Sequence, residues 1–207
     1  MDAIASATMG KVSRGVISTI VQMISDRLGQ GAAASTSPPC SLIPDAHSSF
    51  AFCFGDVDDQ WIAVLLLMKE DGIKESDVAE DVDAQFENNC QRVVVVSWKP
   101  YRKIRSMKNV DMFEPEELEY NATRSMEGAL SYRSLSQDER SRLLASCQTE
   151  AHKLPVMMRT DIIARYYGFS PGTVVQISRR LDAGCKNPSV QNIETCDIGD
   201  PYYRVVL

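Results

Sequence analysis

Residues 160–178 read TDIIARYYGFSPGTVVQIS, and this stretch decides the fold of the C-terminal part of the chain. Thr160 or Asp161 can cap a helix, because a side-chain oxygen at that position accepts a hydrogen bond from a free backbone N–H. Gly168 stands where a left-handed residue commonly ends a helix. The SPGT segment at 170–173 has proline and glycine at the positions that a type II turn prefers. We therefore expect a short helix, a glycine stop, a turn and a strand.

The same stretch carries structural patterns and no catalytic one. Asp161 precedes Arg165 by four residues, the favoured order for an ion pair along a helix. No His, Cys or Ser is placed beside a carboxylate, which a nucleophile and its base would require. Each residue has a structural explanation, so the stretch predicts no enzymatic activity.

Composition describes a folded chain without dedicated metal ligands. The 207 residues are 44% hydrophobic and 24% charged, with a net charge of −6 and a pI near 5.0. This balance argues against a uniformly basic nucleic-acid binder, although it leaves room for a local basic patch. Six cysteines without a CxxC spacing and only two histidines give no zinc site, so we expect reduced, intracellular cysteines and no cofactor or metal.

The first part of the chain reads as a helix followed by an insertion. Apolar residues from Ile17 to Leu28 follow helical spacing and favour a docked helix ending at Gly29. A mitochondrial presequence is the alternative for this acid-poor segment. Residues 29–47 are rich in small residues and proline, and predict a flexible insertion. The longest apolar run, 62–68, is too short to span a membrane.

The next segments alternate between strands and helical turns. Residues 48–54 and 60–68 predict a β-hairpin. Residues 75–82 favour one or two helical turns, and 83–90 a short helix. RVVVV at 92–96 has no alternation, which is typical of a strand buried on both faces. The order predicts an α/β or α+β domain.

Charge changes sign after this strand. Residues 92–108 contain six basic residues and no acid, and the acidic segment DMFEPEELE follows at 111–119. A basic loop can neutralise DNA phosphates without reading bases. Pairing with the acidic segment, or contact with another protein, is the alternative. The candidate DNA-contacting residues are Lys99, Arg102, Lys103 and Arg105.

The last part contains a second helix and three extended segments. Ser136 and Glu139 form the pattern of a capping box. The residue before Pro155 is pushed out of the helical region, so a short extended piece is expected there. Residues 173–178 and 202–207 predict two further strands.

The order and spacing of these motifs resemble a known family. Leu154-Pro155, the TDxxARYYG string and a final Tyr-Arg all occur in it in this order. The resemblance covers about the last 75 residues and is to the C-terminal domain of the common assembly subunit of eukaryotic RNA polymerases I, II and III, which has an archaeal counterpart. The further matching positions are Leu135, Ser136, Glu139, Arg140, Leu143, Leu144, Gly172, Val174, Val175, Ile177, Arg179, Arg180, Tyr203 and Arg204.

The resemblance implies an architecture and a function. The expected fold is α+β or α/β, with a nuclease-like α/β jaw at 1–125 and a small α+β assembly domain at 126–207. The implied protein is a non-catalytic nuclear subunit, present once in the polymerase, that docks on the largest subunit and lies near downstream duplex DNA. No membrane partner is implied. The residues that we predict at the subunit interface are Asp161, Arg165, Tyr166, Tyr167, Gly168, Val174, Gln176, Arg179, Arg180, Tyr203 and Arg204.

Departures from the family pattern predict a divergent paralogue. Ile162 replaces a proline, and the loop at 181–202 is much longer than usual. Kinetoplastid parasites carry duplicated copies, one of them in polymerase I, and a nucleolar polymerase I form is our expectation for this chain. The alternatives are a metal-dependent nuclease with the jaw fold and a free-standing adaptor. An acid two residues before a lysine would mark the nuclease, and none of the eight lysines has one.

Overall fold

The computed structural model describes residues 12–28, 40–42, 50–55, 61–67, 72–124, 130–180 and 197–207. The chain divides into two compact units, unit 1 at 1–120 and unit 2 at 121–207. The sequence places a boundary five residues further on, between 125 and 126. Each unit is built on its own mixed sheet, so the α+β fold class is confirmed. No helix among the described residues is long and apolar enough to cross a membrane.

Unit 1 contains a five-stranded sheet in the order β1-β2-β3-β4-β5. The first three strands pair antiparallel, and β3, β4 and β5 pair parallel. The predicted hairpin is therefore present as β2 and β3. The strands are β1 (Cys40–Leu42), β2 (Phe50–Gly55), β3 (Trp61–Leu67), β4 (Cys90–Ser97) and β5 (Val110–Phe113).

Four helices of unit 1 lie in the described residues. They are α1 (Arg14–Arg27), α2 (Glu75–Glu87), α3 (Arg102–Ser106) and α4 (Pro115–Leu118). The first helix follows its predicted spacing, with Ser13 capping its start through bonds from two backbone N–H groups. The two short helical pieces predicted at 75–90 are one continuous helix, because Val78, Val82 and Gln85 keep one buried stripe across the expected break.

Strand β4 is buried on both faces, as its four valines predict. Val93, Val94 and Val95 are fully buried. Val93 and Val95 face a core shared with Val78 and Val82 of α2. Because side chains alternate along a strand, Val94 must face the opposite side of the sheet. Burial on both faces is typical of strands in a parallel α/β layer.

The side of the sheet opposite α2 carries a buried charge cluster. Asp111 of β5 accepts from Arg27 of α1 at 2.9 Å and lies 3.5 Å from Arg92 of β4. The side chains of Arg27 and Asp111 are 3% and 6% exposed. This bond attaches α1 to the edge of the sheet, so α1 and α2 enclose the sheet from its two faces.

Three elements of unit 1 differ from the sequence prediction. The predicted insertion contains strand β1, which pairs with β2. The predicted basic loop contains helix α3. The acidic segment begins with strand β5, which the pattern hides because Asp111 is a buried acid. The rest of the insertion lies outside the described residues, and so do residues 56–60, which connect the two strands of the hairpin.

Unit 2 contains a four-stranded sheet in the order β6-β8-β9-β7. Strands β6, β8 and β9 pair antiparallel in turn, and β7 pairs parallel with β9. The predicted extended piece after Leu154 is present as β7, whereas β6 is absent from the sequence prediction. The elements are β6 (Leu130–Ser134), α5 (Gln137–Ser146), a 3₁₀ turn (Ala151–Lys153), β7 (Val156–Met157), α6 (Ile162–Tyr167), β8 (Val174–Arg180) and β9 (Asp197–Val206).

One apolar cluster among the described residues of unit 2 has five buried members, with Leu130, Tyr132, Ile163 and Phe169 packed around them. These five are Met157, Ala164, Val175, Ile177 and Val206. Helix α5 contributes no buried side chain. Its place is therefore set by caps and partial contacts more than by burial.

Candidate functional site

Helix α6 forms the corner that the sequence predicts between 160 and 169. Of the two candidate caps, Asp161 takes the role, accepting from the Ile163 N–H at 2.8 Å. Arg165 donates from Nε to the Thr160 carbonyl at 3.1 Å. The predicted ion pair between Asp161 and Arg165 is thus absent from the described contacts, because the carboxylate caps the helix instead.

The glycine stop and the turn are confirmed. Gly168 has φ 68° and ψ 33°, the left-handed conformation. The Phe169 N–H reaches back to the Ala164 carbonyl at 2.9 Å, which closes the end of the helix. In the following turn, the Thr173 N–H donates to the Ser170 carbonyl at 3.1 Å, and Gly172 has φ 85°. These values define the predicted type II turn.

Aromatic rings fill the angle between α6 and the sheet. Tyr167 lies at their centre, with its ring centroid 5.0 Å from Tyr166, 5.3 Å from Phe169 and 5.8 Å from Tyr132. Burial raises the pKa of Tyr132, and the nearby Asp161 carboxylate adds to this effect. Such packing holds the corner rigid.

The structure separates the predicted interface residues into different environments. Tyr166 is 2% exposed and its hydroxyl accepts from the Asn121 amide at 3.1 Å, so its side chain belongs to the interior. Val174 is also buried. Gln176 and Tyr203 are paired across β8 and β9, on the face opposite the core residues Val175 and Ile177.

The remaining predicted interface residues lie around α6 or outside the description. Arg165 and Tyr167 are half-buried, and Arg204 is exposed. Arg204 lies close enough to Tyr132 to favour its ionised form. The side chains of Arg179 and Arg180 are outside the described residues. The accessible members therefore group at the α6 corner, while Gln176 and Tyr203 lie on the other side of the sheet.

A polar network around Gln176 is absent from the sequence prediction. Arg133 of β6 donates to Gln176 Oε1 at 2.7 Å and to Glu139 Oε1 at 2.7 Å. Glu139 also accepts from the Ser136 N–H at 2.8 Å, which completes the predicted capping box. This backbone bond, followed by the Arg133 bond, lowers the pKa of Glu139 to about 2. The capping box could be read from sequence, but Arg133 required the strand pairing.

Exposed apolar side chains gather at the edge of the unit 2 sheet. Val156 is 42% exposed, Met158 58% and Leu207 59%. Val156 and Met158 flank the buried Met157, so both point to the same face of β7. The Leu207 N–H donates to the Met157 carbonyl at 3.0 Å, which brings Leu207 to the same edge. We call Val156, Met158 and Leu207 the edge patch.

The basic segment at 99–108 is anchored by two buried residues, and its lysines and arginines are exposed. Tyr101 and Ile104 are buried, and the Tyr101 hydroxyl donates to the Ile73 carbonyl at 2.9 Å. The Lys103 backbone N–H donates to Glu75 Oε1 at 2.7 Å, so α3 is fixed against α2. The candidate DNA-contacting residues, Lys99, Arg102, Lys103 and Arg105, are all exposed.

The acidic segment uses its charges elsewhere. Asp111 pairs with Arg27 and Arg92. Glu114 donates its N–H to Glu117 in a cap of α4, and Glu119 accepts from the Ser13 hydroxyl at 2.7 Å. Among the contacts of the described residues, no ion pair or hydrogen bond joins the acidic segment to the side chains of the four candidate DNA-contacting residues. Their charges therefore face solvent.

The described part of the chain offers no group of three or more His, Cys, Asp or Glu side chains that could hold a metal ion. Cys53 and Cys90 are free thiols with their sulfurs 3.5 Å apart. The contact with Cys90, together with burial, raises the pKa of Cys53.

The fold and these surfaces define a two-unit α+β protein whose accessible features are suited to association. Residues 127–185 match the family described as RNA polymerase Rpb5, C-terminal domain. For this part of the chain, the predicted resemblance to the common assembly subunit and its archaeal counterpart is confirmed. The match lies within unit 2, and residues before 127 are outside it. Comparison with curated proteins gives no match.

The matched domain indicates a general role. A domain of this family indicates an RNA polymerase subunit and implies assembly within a polymerase complex, and its eukaryotic members imply a nuclear location. The α6 corner that raised the question of catalysis lies inside the matched region. Its rigid cap, glycine stop and aromatic packing are features of a structural domain.

Proposed function

We propose that this chain is a non-catalytic polymerase subunit that docks on the largest subunit through unit 2 and places unit 1 near downstream duplex DNA. The supporting observation is the edge patch, because exposed apolar side chains occur in the same unit that matches the polymerase family. Apolar side chains exposed together commonly mark protein interfaces. The paralogue serves polymerase I, which would make its location nucleolar.

The proposed docking surface combines the edge patch with the start of α6. The Asp161 N–H donates to the Met158 carbonyl at 2.9 Å, so the patch leads directly into the capped helix. Arg165 and Tyr167 are accessible on this helix, and interfaces favour arginine and tyrosine as anchors. Buried Tyr166 supports the surface from inside, and we assign it no direct contact with a partner.

Co-purification tests the docking surface. A tagged chain should recover the two large polymerase subunits, and Met158→Asp should lose them, because a charge there removes apolar contact without entering the core. Tyr120→Asp is the matched control, since Tyr120 is 77% exposed but belongs to unit 1. Wild-type recovery by the Met158 variant would refute this surface. Absence of polymerase subunits with the unaltered chain would favour a free-standing adaptor.

The same purification tests the polymerase class. Mass spectrometry of the recovered complex identifies the largest subunit, and we expect that of polymerase I. Recovery of the polymerase II or III subunit would reject the class assignment while leaving the docking proposal intact. Incubating the protein with DNA and Mg²⁺ or Mn²⁺ tests the nuclease alternative, and we expect no cleavage.

The basic segment is the proposed DNA-facing surface of unit 1. Three of its four exposed cations lie on helix α3, which the buried Ile104 holds in place, and Lys99 precedes the helix. Ionic bonds from lysine and arginine to phosphates make affinity depend on salt, and the logarithmic slope falls by about 0.9 for each phosphate that is no longer neutralised. No base-specific recognition is needed for such a role.

Charge reversal tests this surface. The triple variant Lys99→Glu, Arg102→Glu, Lys103→Glu should assemble normally and retain duplex DNA less well in a salt series. Arg102→Glu alone should reduce the slope, whereas Arg14→Glu should not, because Arg14 is exposed in the same unit but lies on α1. Unchanged retention by the triple variant would remove the proposed DNA contact.

A further inference from the structure

Ser106 is an exposed serine placed among the charges of the basic segment. It is the last residue of α3, and its hydroxyl donates to the Lys103 carbonyl at 2.7 Å. Arg102 and Lys103 precede it by four and three residues, and Arg105 precedes it directly. Serine kinases select substrates by such charge patterns around the acceptor.

Ser106 is exposed at the end of the anchored helix α3. Ile104 and Tyr101 hold the helix from its inner side, and Ser106 lies on the outer side with the cations. A phosphate on its oxygen would enter solvent and leave the core unchanged. The hydrogen bond to the Lys103 carbonyl is a local interaction at the exposed end of the helix, so its removal has a small cost.

The charges around Ser106 determine what a phosphate would do. A phosphoserine carries about −1.5 to −2 charges near neutral pH and forms strong hydrogen bonds with arginine and lysine. Arg102, Lys103 and Arg105 make no described side-chain ion pair within the protein, so a neighbouring phosphate would be their nearest partner. Cations engaged in this way are no longer available for the phosphates of DNA.

We propose that Ser106 is a phosphorylation site for a kinase that selects basic sequences, and that its phosphate weakens the contact of the basic segment with nucleic acid. The Ser106 oxygen attacks the γ-phosphorus of ATP and forms an O–P bond. The bond from that phosphorus to the β–γ bridging oxygen breaks, ADP leaves, and the hydroxyl proton passes to a base of the kinase. The second half of the proposal rests on the DNA contact proposed above.

The first experiment measures whether the site accepts phosphate. The full-length protein is incubated with ATP and the catalytic subunit of a cyclic-AMP-dependent protein kinase, and phosphopeptides are quantified. Ser141 is the matched control: it is exposed on α5, donates to the Gln137 carbonyl at 2.9 Å and has an arginine directly before it, as Ser106 has. Four and three residues before it, however, stand Gln137 and Asp138, where Ser106 has Arg102 and Lys103. We expect Ser106 to react at least about tenfold faster, because only Ser106 has cations three and four residues before the acceptor. Equal or slower reaction would overturn the site.

The second experiment measures duplex DNA retention by the polymerase assembly in a salt series. Phosphorylated Ser106 or Ser106→Glu should lower the logarithmic salt slope by about 1 to 2, and Ser141→Glu should leave it unchanged. If Arg102→Glu lowers the slope and phosphorylated Ser106 does not, the regulatory proposal is wrong and the DNA contact stands. If neither changes the slope, both are overturned.

Discussion

The two units of this chain are held together in different ways. In unit 1, β3 and β4 lie inside the sheet and α2 packs along it with a continuous buried stripe. In unit 2, by contrast, the longest described helix, α5, buries no side chain. Unit 1 therefore depends on apolar burial, whereas unit 2 depends more on caps, turns and hydrogen bonds between side chains.

This difference indicates which unit gains most from a partner. The edge patch leaves three apolar side chains of unit 2 at the surface. Burying it against another subunit would add the apolar contact that unit 2 lacks alone. The family match falls in this same unit.

The largest expected effect comes from the interior of β3. Leu65→Ala removes a fully buried side chain and should destabilise unit 1 by about 3–5 kcal/mol. Both tryptophans, Trp61 and Trp98, lie in unit 1, so denaturation followed by tryptophan fluorescence reports on it. Leu143→Ala in the half-buried α5 is the control and should leave this transition unchanged. A loss below about 1 kcal/mol for Leu65→Ala would contradict the burial account.

The next largest destabilisation is expected at Gly168, which ends α6. Gly168→Val should destabilise unit 2 by about 1–2 kcal/mol, because a β-branched residue is strained in the left-handed region. Amide hydrogen exchange in β8 measures this destabilisation, and recovery of polymerase subunits should fall with it. Gly172→Ala, with φ 85° and open space around it, should cost about 1 kcal/mol. Wild-type exchange in the Gly168 variant would reject the turn geometry.

Removing the cap of α5 should have a smaller effect. Ser136→Ala deletes the bond from the Glu139 N–H and should cost unit 2 about 1 kcal/mol. Ser141→Ala, inside the same exposed helix, should change stability by less than about 0.5 kcal/mol. Exchange of the first α5 amides distinguishes the two variants. Equal effects would mean that the cap does not hold the helix.

The smallest expected effect is the loss of the Glu139 contribution to α5 as the pH falls. The folded-state pKa of Glu139 is lowered to about 2 from an ordinary value of 4.5, so its contribution is present above the ordinary value and is lost as pH falls toward 2. Protection of α5 amides should therefore decline over this range, and less so in Glu139→Gln. Arg133→Ala should raise the pKa of Glu139, measured by NMR titration of its carboxyl group. An unchanged pKa would show that Arg133 does not contribute.

Sequence reasoning succeeded where one short pattern determines the local conformation. Gly168 and the 170–173 turn each demand a positive φ, and Ser136 with Glu139 has the spacing of a capping box. The buried β4 could be predicted because four valines leave no polar face. These features depend on neighbours within a few residues, so their signals survive without knowledge of the fold.

The sequence-based predictions were incomplete where residues far apart in the chain determine the local structure. Asp111 makes β5 look like an acidic segment, and only its pairing with Arg27, far along the chain, explains a buried acid in a strand. Tyr166 and Tyr167 are adjacent and chemically identical, yet one is buried against Asn121 and the other is accessible. The edge patch appears only once β7 is placed at the end of its sheet.

The position of β9 has a consequence for synthesis of the chain. This strand comes last in sequence among the four of its sheet, yet lies between β8 and β7. Unit 2 therefore cannot close its sheet until the ribosome has delivered residues up to Val206, whereas the last of the described strands of unit 1 ends at Phe113. An N-terminal unit can fold first during translation. A nascent chain would then carry a finished unit 1 before unit 2 is able to bind anything.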